Sequence, residues 1–300
     1  MPNIKMRDGR EVFIRDIGEG SPIILLHGFG MQSAHWLPFV LPLTRKYRFL
    51  MPDLRGFGHS HSTQYNQACV MSNYADDLAD LLEHYQLESF KLAGISMGAF
   101  VALQYLKLYG HDKVERYLHI DQGARCSNND DWHWGLFGAE NKERLDRVRK
   151  IVLGLTPYLE AQTPYHNIPG HLRHKMWQEL GDFFSAGLSK QLQKSIIKKV
   201  CAIEPLITRL IPVQNWPAYI LCIKAYLEQD YDMLDTFSNL NIPVSLIIGL
   251  KSEMYPCEGQ FRIANYAPYC ETIPFKNSGH TPLIDQPIKF FNELKRFSAS

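Results

Sequence analysis

The sequence predicts an α/β fold: a mostly parallel central sheet with helices on both faces and an inserted helical cap. Three observations predict it. Short apolar or alternating runs recur between helical stretches through the first 121 residues, the pattern of parallel strands joined by crossover helices. A serine flanked by glycines, Gly94-Ile95-Ser96-Met97-Gly98, stands where a strand signal gives way to a helix signal. From about Cys126 to Thr236 the strand signals stop and helical stretches interrupted by prolines replace them. The domain reading is therefore a core over residues 1–125, a helical cap over 126–236, and the rest of the core over 237–300.

The elements follow in order. Glu11–Asp16 alternates after the Asp8-Gly9 turn and reads as an early antiparallel strand. Ile23-Ile24-Leu25-Leu26 is wholly apolar, as a central parallel strand covered on both faces must be. It runs into His27-Gly28-Phe29-Gly30. Ser33–Leu43 reads as a short helix and Tyr47–Met51 as the next strand. The glycine-rich loop Pro52–Ser60 lacks a phosphate-binding signature, so it reads as a tight loop with Asp53 bonding backbone. Ser72 is the expected cap of a helix over Asn73–Tyr85, where Leu78, Leu81 and Leu82 repeat at helical spacing. Ser89–Ala93 is the strand before Ser96, Ala99–Leu106 the helix after it, and Val114–Asp121 a strand ending in an acid. Cap helices are expected near residues 142–155, 172–180, 189–203 and 218–227. Ile242–Gly249 is a buried strand, Gly259–Ala267 a helix and Glu271–Ile273 a short edge strand. After the loop Asn277–Pro282, Pro287–Phe297 is a last helix with proline at its start.

Bulk properties narrow the function. A formal net charge of +1 gives no reason to expect nucleic acid or an anionic membrane as partner. No apolar run is long enough to span a bilayer. The N-terminal residues lack a secretory signal's apolar core, and six scattered cysteines contain no C-x-x-C pair. These features point to a cytoplasmic protein with reduced thiols and no metal site. The glycine-rich loops carry no dinucleotide or phosphate signature, so no cofactor is expected.

The chemistry starts at Ser96. A serine on a sharp strand-to-helix turn has a strained backbone and needs close neighbours without a Cβ, which Gly94 and Gly98 supply. The pentapeptide alone is weak, since roughly one chain of this length in ten carries it by chance. Its setting gives it weight. In an open parallel sheet, ligands bind beyond the carboxyl ends of the strands, and His27, Asp53, Ser96 and Asp121 all fall there. A serine hydroxyl needs a neutral histidine as base, and the histidine needs an acceptor on its other ring nitrogen. Of twelve histidines, His280 is the candidate, late in the chain in a Ser-Gly-His loop after a strand.

Leu26-His27-Gly28-Phe29-Gly30, Pro52–Gly58, Gly94–Gly98 and Gly279-His280, in this order, make the chain resemble the α/β-hydrolase superfamily along nearly its whole length, as a serine esterase or lipase-like member with a helical cap. The resemblance implies an oxyanion hole made of the backbone N–H groups of Phe29 and Met97, with His27 structural. It also exposes a departure. In most relatives an aspartate follows the strand ending at Gly249 by three residues, and here that position is Ser252. Asp121 is the preferred acid, because it already sits at the correct sheet edge and some haloalkane dehalogenases of similar architecture place their acid there. Glu253 is the alternative acid, reached by a one-residue shift of the loop.

The resulting expectation is a carboxylic ester hydrolase with Ser96 as nucleophile, His280 as base and Asp121 as the orienting acid, acting on a small-molecule ester with a small or medium apolar group. The cap aromatics Trp132, Trp134, Phe137, Phe183 and Phe184, with Met176, suggest the apolar preference. The same fold also supports perhydrolase or haloperoxidase-like, acyltransferase and C–C hydrolase reactions, or a receptor without catalysis. The sequence leaves the oligomeric state open.

Overall fold

Strand pairing accounts for the predicted architecture. The structure is a computed structural model that describes residues 3–65, 69–210, 215–229 and 231–300. Its strands are β1 (Asn3–Lys5), β2 (Glu11–Ile17), β3 (Ser21–Leu26), β4 (Tyr47–Pro52), β5 (Phe90–Ile95), β6 (Val114–Ile120), β7 (Val244–Gly249) and β8 (Cys270–Phe275). They form one sheet in the order β1-β2-β4-β3-β5-β6-β7-β8. β1 and β2 pair antiparallel, as do β2 and β4, and every later pairing is parallel.

The helices are α1 (Leu37–Val40), α2 (Val70–His84), α3 (Met97–Tyr109), α4 (Asn141–Glu160), α5 (Gly170–Ala186), α6 (Gln191–Ala202), α7 (Glu204–Leu210), α8 (Trp216–Glu228), α9 (Leu234–Ser238), α10 (Cys257–Ile263), α11 (Pro282–Asp285) and α12 (Pro287–Ala299). The two-residue period of the strands sorts the core. Ile24, Leu26 and Leu92 face a cluster that includes Leu78 and Leu81 of α2 and Phe100 of α3. Ile23, Leu25 and Ala93 face the other cluster, with Trp36 and with Phe290 and Leu294 of α12. Both faces are covered, which is why these strands read as unbroken apolar runs.

Several boundaries differ from expectation for local reasons. Helix α2 starts at Val70, and the Cys69 sulfur, not Ser72, accepts a first-turn N–H, that of Ser72 itself at 3.4 Å. The Ser72 hydroxyl instead accepts from Gln104 Nε2 at 3.1 Å. Ser33–Leu43 is not one helix: 3₁₀ turns flank α1, where Pro38 and Pro42 remove N–H donors. Strand β1, absent from the sequence reading, is held by three residue pairs with β2. The helix expected at Gly259–Ala267 is α10, which starts and ends earlier. Pro157 lies inside α4 without ending it, and the carbonyl it leaves free belongs to Leu153, 71% exposed, where water can bond it.

Between β6 and β7 the chain makes helices α4 to α9, and its only bridges there among the described residues are Arg125 with Asp232 and Asn129 with Trp132. The α4–α8 helices have their own core around Leu155, Trp177, Leu180 and Trp216. Helix α8 is also tied to α2, with Cys222 Sγ 3.2 Å from the Tyr74 hydroxyl.

Candidate active site

Ser96 closes β5 and opens α3 with φ +52° and ψ −125°, a conformation costly for a residue with a side chain. The glycines make it possible. A Cβ on Gly94 would collide with the carbonyl of Gly98, and one on Gly98 with the carbonyl of Leu26. The sheet ladder runs up to the site: Ser96 N–H donates to the Ile120 carbonyl at 3.0 Å, and Asp121 N–H to that of Ile247 at 2.9 Å. Two adjacent strand ends therefore fix these residues side by side.

The structure brings three of the sequence candidates into one hydrogen-bonded line. Ser96 Oγ is 2.7 Å from His280 Nε2, and His280 Nδ1 is 2.8 Å from Asp121 Oδ1. Asp121 is fully buried and has φ +42°, a region aspartate enters more readily than most residues. Its Oδ2 accepts the Gly249 N–H at 2.6 Å, and its Oδ1 also accepts the Ser252 hydroxyl at 2.8 Å. Ser252, at the position the resemblance assigns to an aspartate in most relatives, is thus a donor to the carboxylate on the neighbouring strand. Glu253, the alternative acid, is not brought in: its side chain is 57% exposed and pairs with Lys194.

The backbone N–H groups of Phe29 and Met97 make no hydrogen bond within the described residues, and Met97 is the first residue of α3, so its N–H belongs to a helix N-terminus. Both flank Ser96 in the apolar cavity described below. His27 braces this corner. Its Nδ1–H donates to the Gly28 carbonyl at 2.8 Å and its Nε2 accepts the Leu54 N–H at 3.0 Å. Burial lowers its pKa to about 4, so the ring is neutral. Asp53 organises the loop after β4, accepting the Ser33 N–H at 2.6 Å and the His59 N–H at 2.8 Å. Burial opposes its charge, yet these donors hold its pKa below the usual value.

Sequence reasoning missed Gly249 and Asp285. Asp285 Oδ2 accepts the Gly279 N–H at 2.8 Å, and its Oδ1 accepts the Ser189 hydroxyl at 2.6 Å, so it links the His280 loop to the inserted helices. No periodicity marks such a residue. Ser252 carried a usable signal, because a hydroxyl in an acid's place requires an acceptor nearby.

Above Ser96 lies a cavity of about 70 Å³ walled by Phe29, Leu145, Val152, Met176, Leu180 and Ile220 among others. The Phe29 ring contacts Phe57, Phe183, Phe184 and Tyr219 at centroid distances of 5.3 to 5.9 Å, so one aromatic cluster joins the loop after β3 to α5 and α8. Among the described residues no group of three His, Cys, Asp or Glu side chains is arranged to hold a metal, and no helix is long and apolar enough to cross a membrane.

The strand order, the strained serine between glycines and the late histidine define an α/β-hydrolase fold. A family profile described as the alpha/beta hydrolase fold matches residues 21–136. The fold is that of the α/β hydrolases, and residues 21–136 carry the sequence match to that family. It is 24% identical over 280 residues to a pimeloyl-(acyl-carrier protein) methyl ester esterase of Aliivibrio salmonicida, covering 93% of each chain. It is 32% identical over 121 residues to a non-heme haloperoxidase of Rhodococcus erythropolis, covering 40% of this chain and 43% of that one. An esterase structure from Exiguobacterium antarcticum superposes with a TM-score of 0.75 at 20% identity, covering 99% of both chains.

Proposed function

We propose that this protein is a serine hydrolase that cleaves carboxylic esters of small or medium apolar substrates through an acyl-enzyme intermediate. The observation that carries the reading is the line from Ser96 Oγ through the His280 ring to the Asp121 carboxylate, at the floor of an apolar cavity. Ser96 Oγ attacks the ester carbonyl while its proton passes to His280 Nε2. The oxyanion forms against the N–H groups of Phe29 and Met97, donors without a partner among the described residues. Asp121 stabilises the imidazolium, and Gly249 and Ser252 keep its carboxylate in place. The intermediate collapses as Nε2–H protonates the leaving alkoxide. Water, deprotonated by His280, then cleaves the acyl–Ser96 ester and releases the acid. In this reading residues 126–236 act as the cap that selects the substrate.

The test is Ser96→Ala with a series of p-nitrophenyl esters. Turnover is expected to fall to background with the fold intact by circular dichroism, and a fluorophosphonate is expected to label the natural protein but not the variant. Turnover that survives the substitution overturns the reading. The similarity to a haloperoxidase favours a second reaction on the same acyl-enzyme, in which hydrogen peroxide replaces water and a peracid leaves. Halide oxidation that requires both peroxide and a carboxylic acid, and is lost in Ser96→Ala, would identify it.

A further inference from the structure

Gln122, the residue after Asp121, is a buried polar side chain in the wall of the apolar cavity that holds Ser96, only 1% exposed. One end of its carboxamide meets the Tyr255 hydroxyl, with Nε2 2.8 Å from Oη. The other end has no hydrogen bond among the described residues, and the side chain lines the cavity. The one ionisable lining group besides the phenols, Glu179, is occupied by Arg147 at 3.4 Å. A carboxamide end without a protein partner in the wall of an apolar cavity carries an unfavourable free energy that a polar ligand atom relieves. A protein with no use for polarity at this point would fill the same volume with leucine or methionine.

The direction of this group relative to the chemistry is also defined. The Tyr255 ring lies 6.2 Å from the His280 ring, so the Gln122–Tyr255 pair stands on the imidazole side of Ser96. The leaving alkoxide must face His280 Nε2 to receive its proton, so the imidazole side is the alcohol side of the ester. Resting on the proposed serine hydrolase reading, we infer that Gln122 is a specificity-determining residue that binds a hydroxyl carried by the alcohol portion of the substrate. The free end of the carboxamide is an acceptor oxygen when the N–H meets the phenol, and an N–H donor when the amide is turned so that the phenol donates. A hydroxyl satisfies either arrangement, whereas an alkyl group satisfies neither. The preferred substrate class is therefore the monoester of a diol or polyol.

The experiment compares 2-hydroxyethyl butyrate with propyl butyrate, each kcat/KM divided by the ester's alkaline hydrolysis rate. The natural protein is expected to favour the hydroxyethyl ester by about tenfold or more, since sites built to bond a hydroxyl discriminate strongly against its absence. In Gln122→Leu and Gln122→Met the ratio is expected to fall close to one. A natural protein with no preference overturns the inference without any variant, as does a ratio that survives both substitutions. A preference for 3-hydroxybutyrate esters with none for the hydroxyethyl ester overturns the assignment to the alcohol side. Failure of the underlying reading looks different: neither ester is cleaved and Ser96 takes no fluorophosphonate label, which overturns both.

Discussion

Asp121 accepts three hydrogen bonds with its two oxygens, from the His280 ring, the Gly249 N–H and the Ser252 hydroxyl. A carboxylate held this way is fixed in orientation beside the imidazole and cannot rotate off it. Asp121→Asn is expected to lower kcat by roughly 10³–10⁴-fold, because an amide neither fixes the tautomer nor stabilises imidazolium. Ser252→Ala removes one of the supporting donors and is expected to lower kcat by about tenfold. Glu253→Gln is expected to leave the rate unchanged, since that side chain pairs with Lys194 outside the site. Steady-state kinetics on one ester reads all three. Two buried histidines set an acid limit. Burial depresses the pKa of both His27 and His119 to about 4, while the unfolded chain titrates near 6.5. Their contribution to stability is complete above about pH 6.5 and is lost as pH falls toward 4, because the unfolded state takes up the protons first. Urea midpoints are expected to fall between pH 7 and 5, above the range of ordinary carboxylates, and His27→Gln is expected to flatten that fall. At this scale Ser96 and His280 were legible from spacing and order, whereas the Asp121–Ser252 hydrogen bond joins residues 131 positions apart.

Strand ends and the turns that follow them set the geometry at the next scale. Gly249 shows how narrow the tolerance is. A Cβ there would strike the Gly279 carbonyl and come within 2.7 Å of Asp121 Oδ2, so the end of β7 sits tight against both the Asp121 carboxylate and the backbone of the histidine loop. Gly249→Ala is expected to lower both the melting temperature and kcat, whereas a change confined to the chemistry would lower kcat alone. Differential scanning fluorimetry beside kinetics separates the two. The glycines around Ser96 were legible because the turn itself is local. Gly249 was not, since its obstacle is a carbonyl some 30 residues away in sequence. Element boundaries failed where caps decided them: Cys69 accepting the Ser72 N–H outranked the propensity of Ser72 to cap.

Across the whole molecule, the helices between β6 and β7 wall the cavity above Ser96. Leu180 of α5 and Ile220 of α8 are both buried and both wall the cavity. Leu180→Ala or Ile220→Ala removes apolar volume from the insertion core and from the cavity together. Each is expected to cost about 2–5 kcal/mol of stability and to move the preferred ester toward longer chains. A chain-length profile beside a denaturation curve checks both halves. The Phe29 cluster makes the coupling mutual, because the loop carrying Phe29 packs directly on α5 and α8.

Local physics wrote the parallel strands, the strained serine turn and the change to helices after β6 into the sequence, since apolar period, glycine placement and strand-to-helix transitions act over a few residues. The same local signals placed Asp121 at the sheet edge that holds Ser96. Only the tertiary structure decided that Asp121 rather than Glu253 meets the His280 ring, that Ser252 serves it as a donor, and that Asp285 and Phe29 join the core to the insertion. Those contacts depend on strand register and on how the insertion packs, and their partners are remote in the chain, so no sequence pattern encodes them.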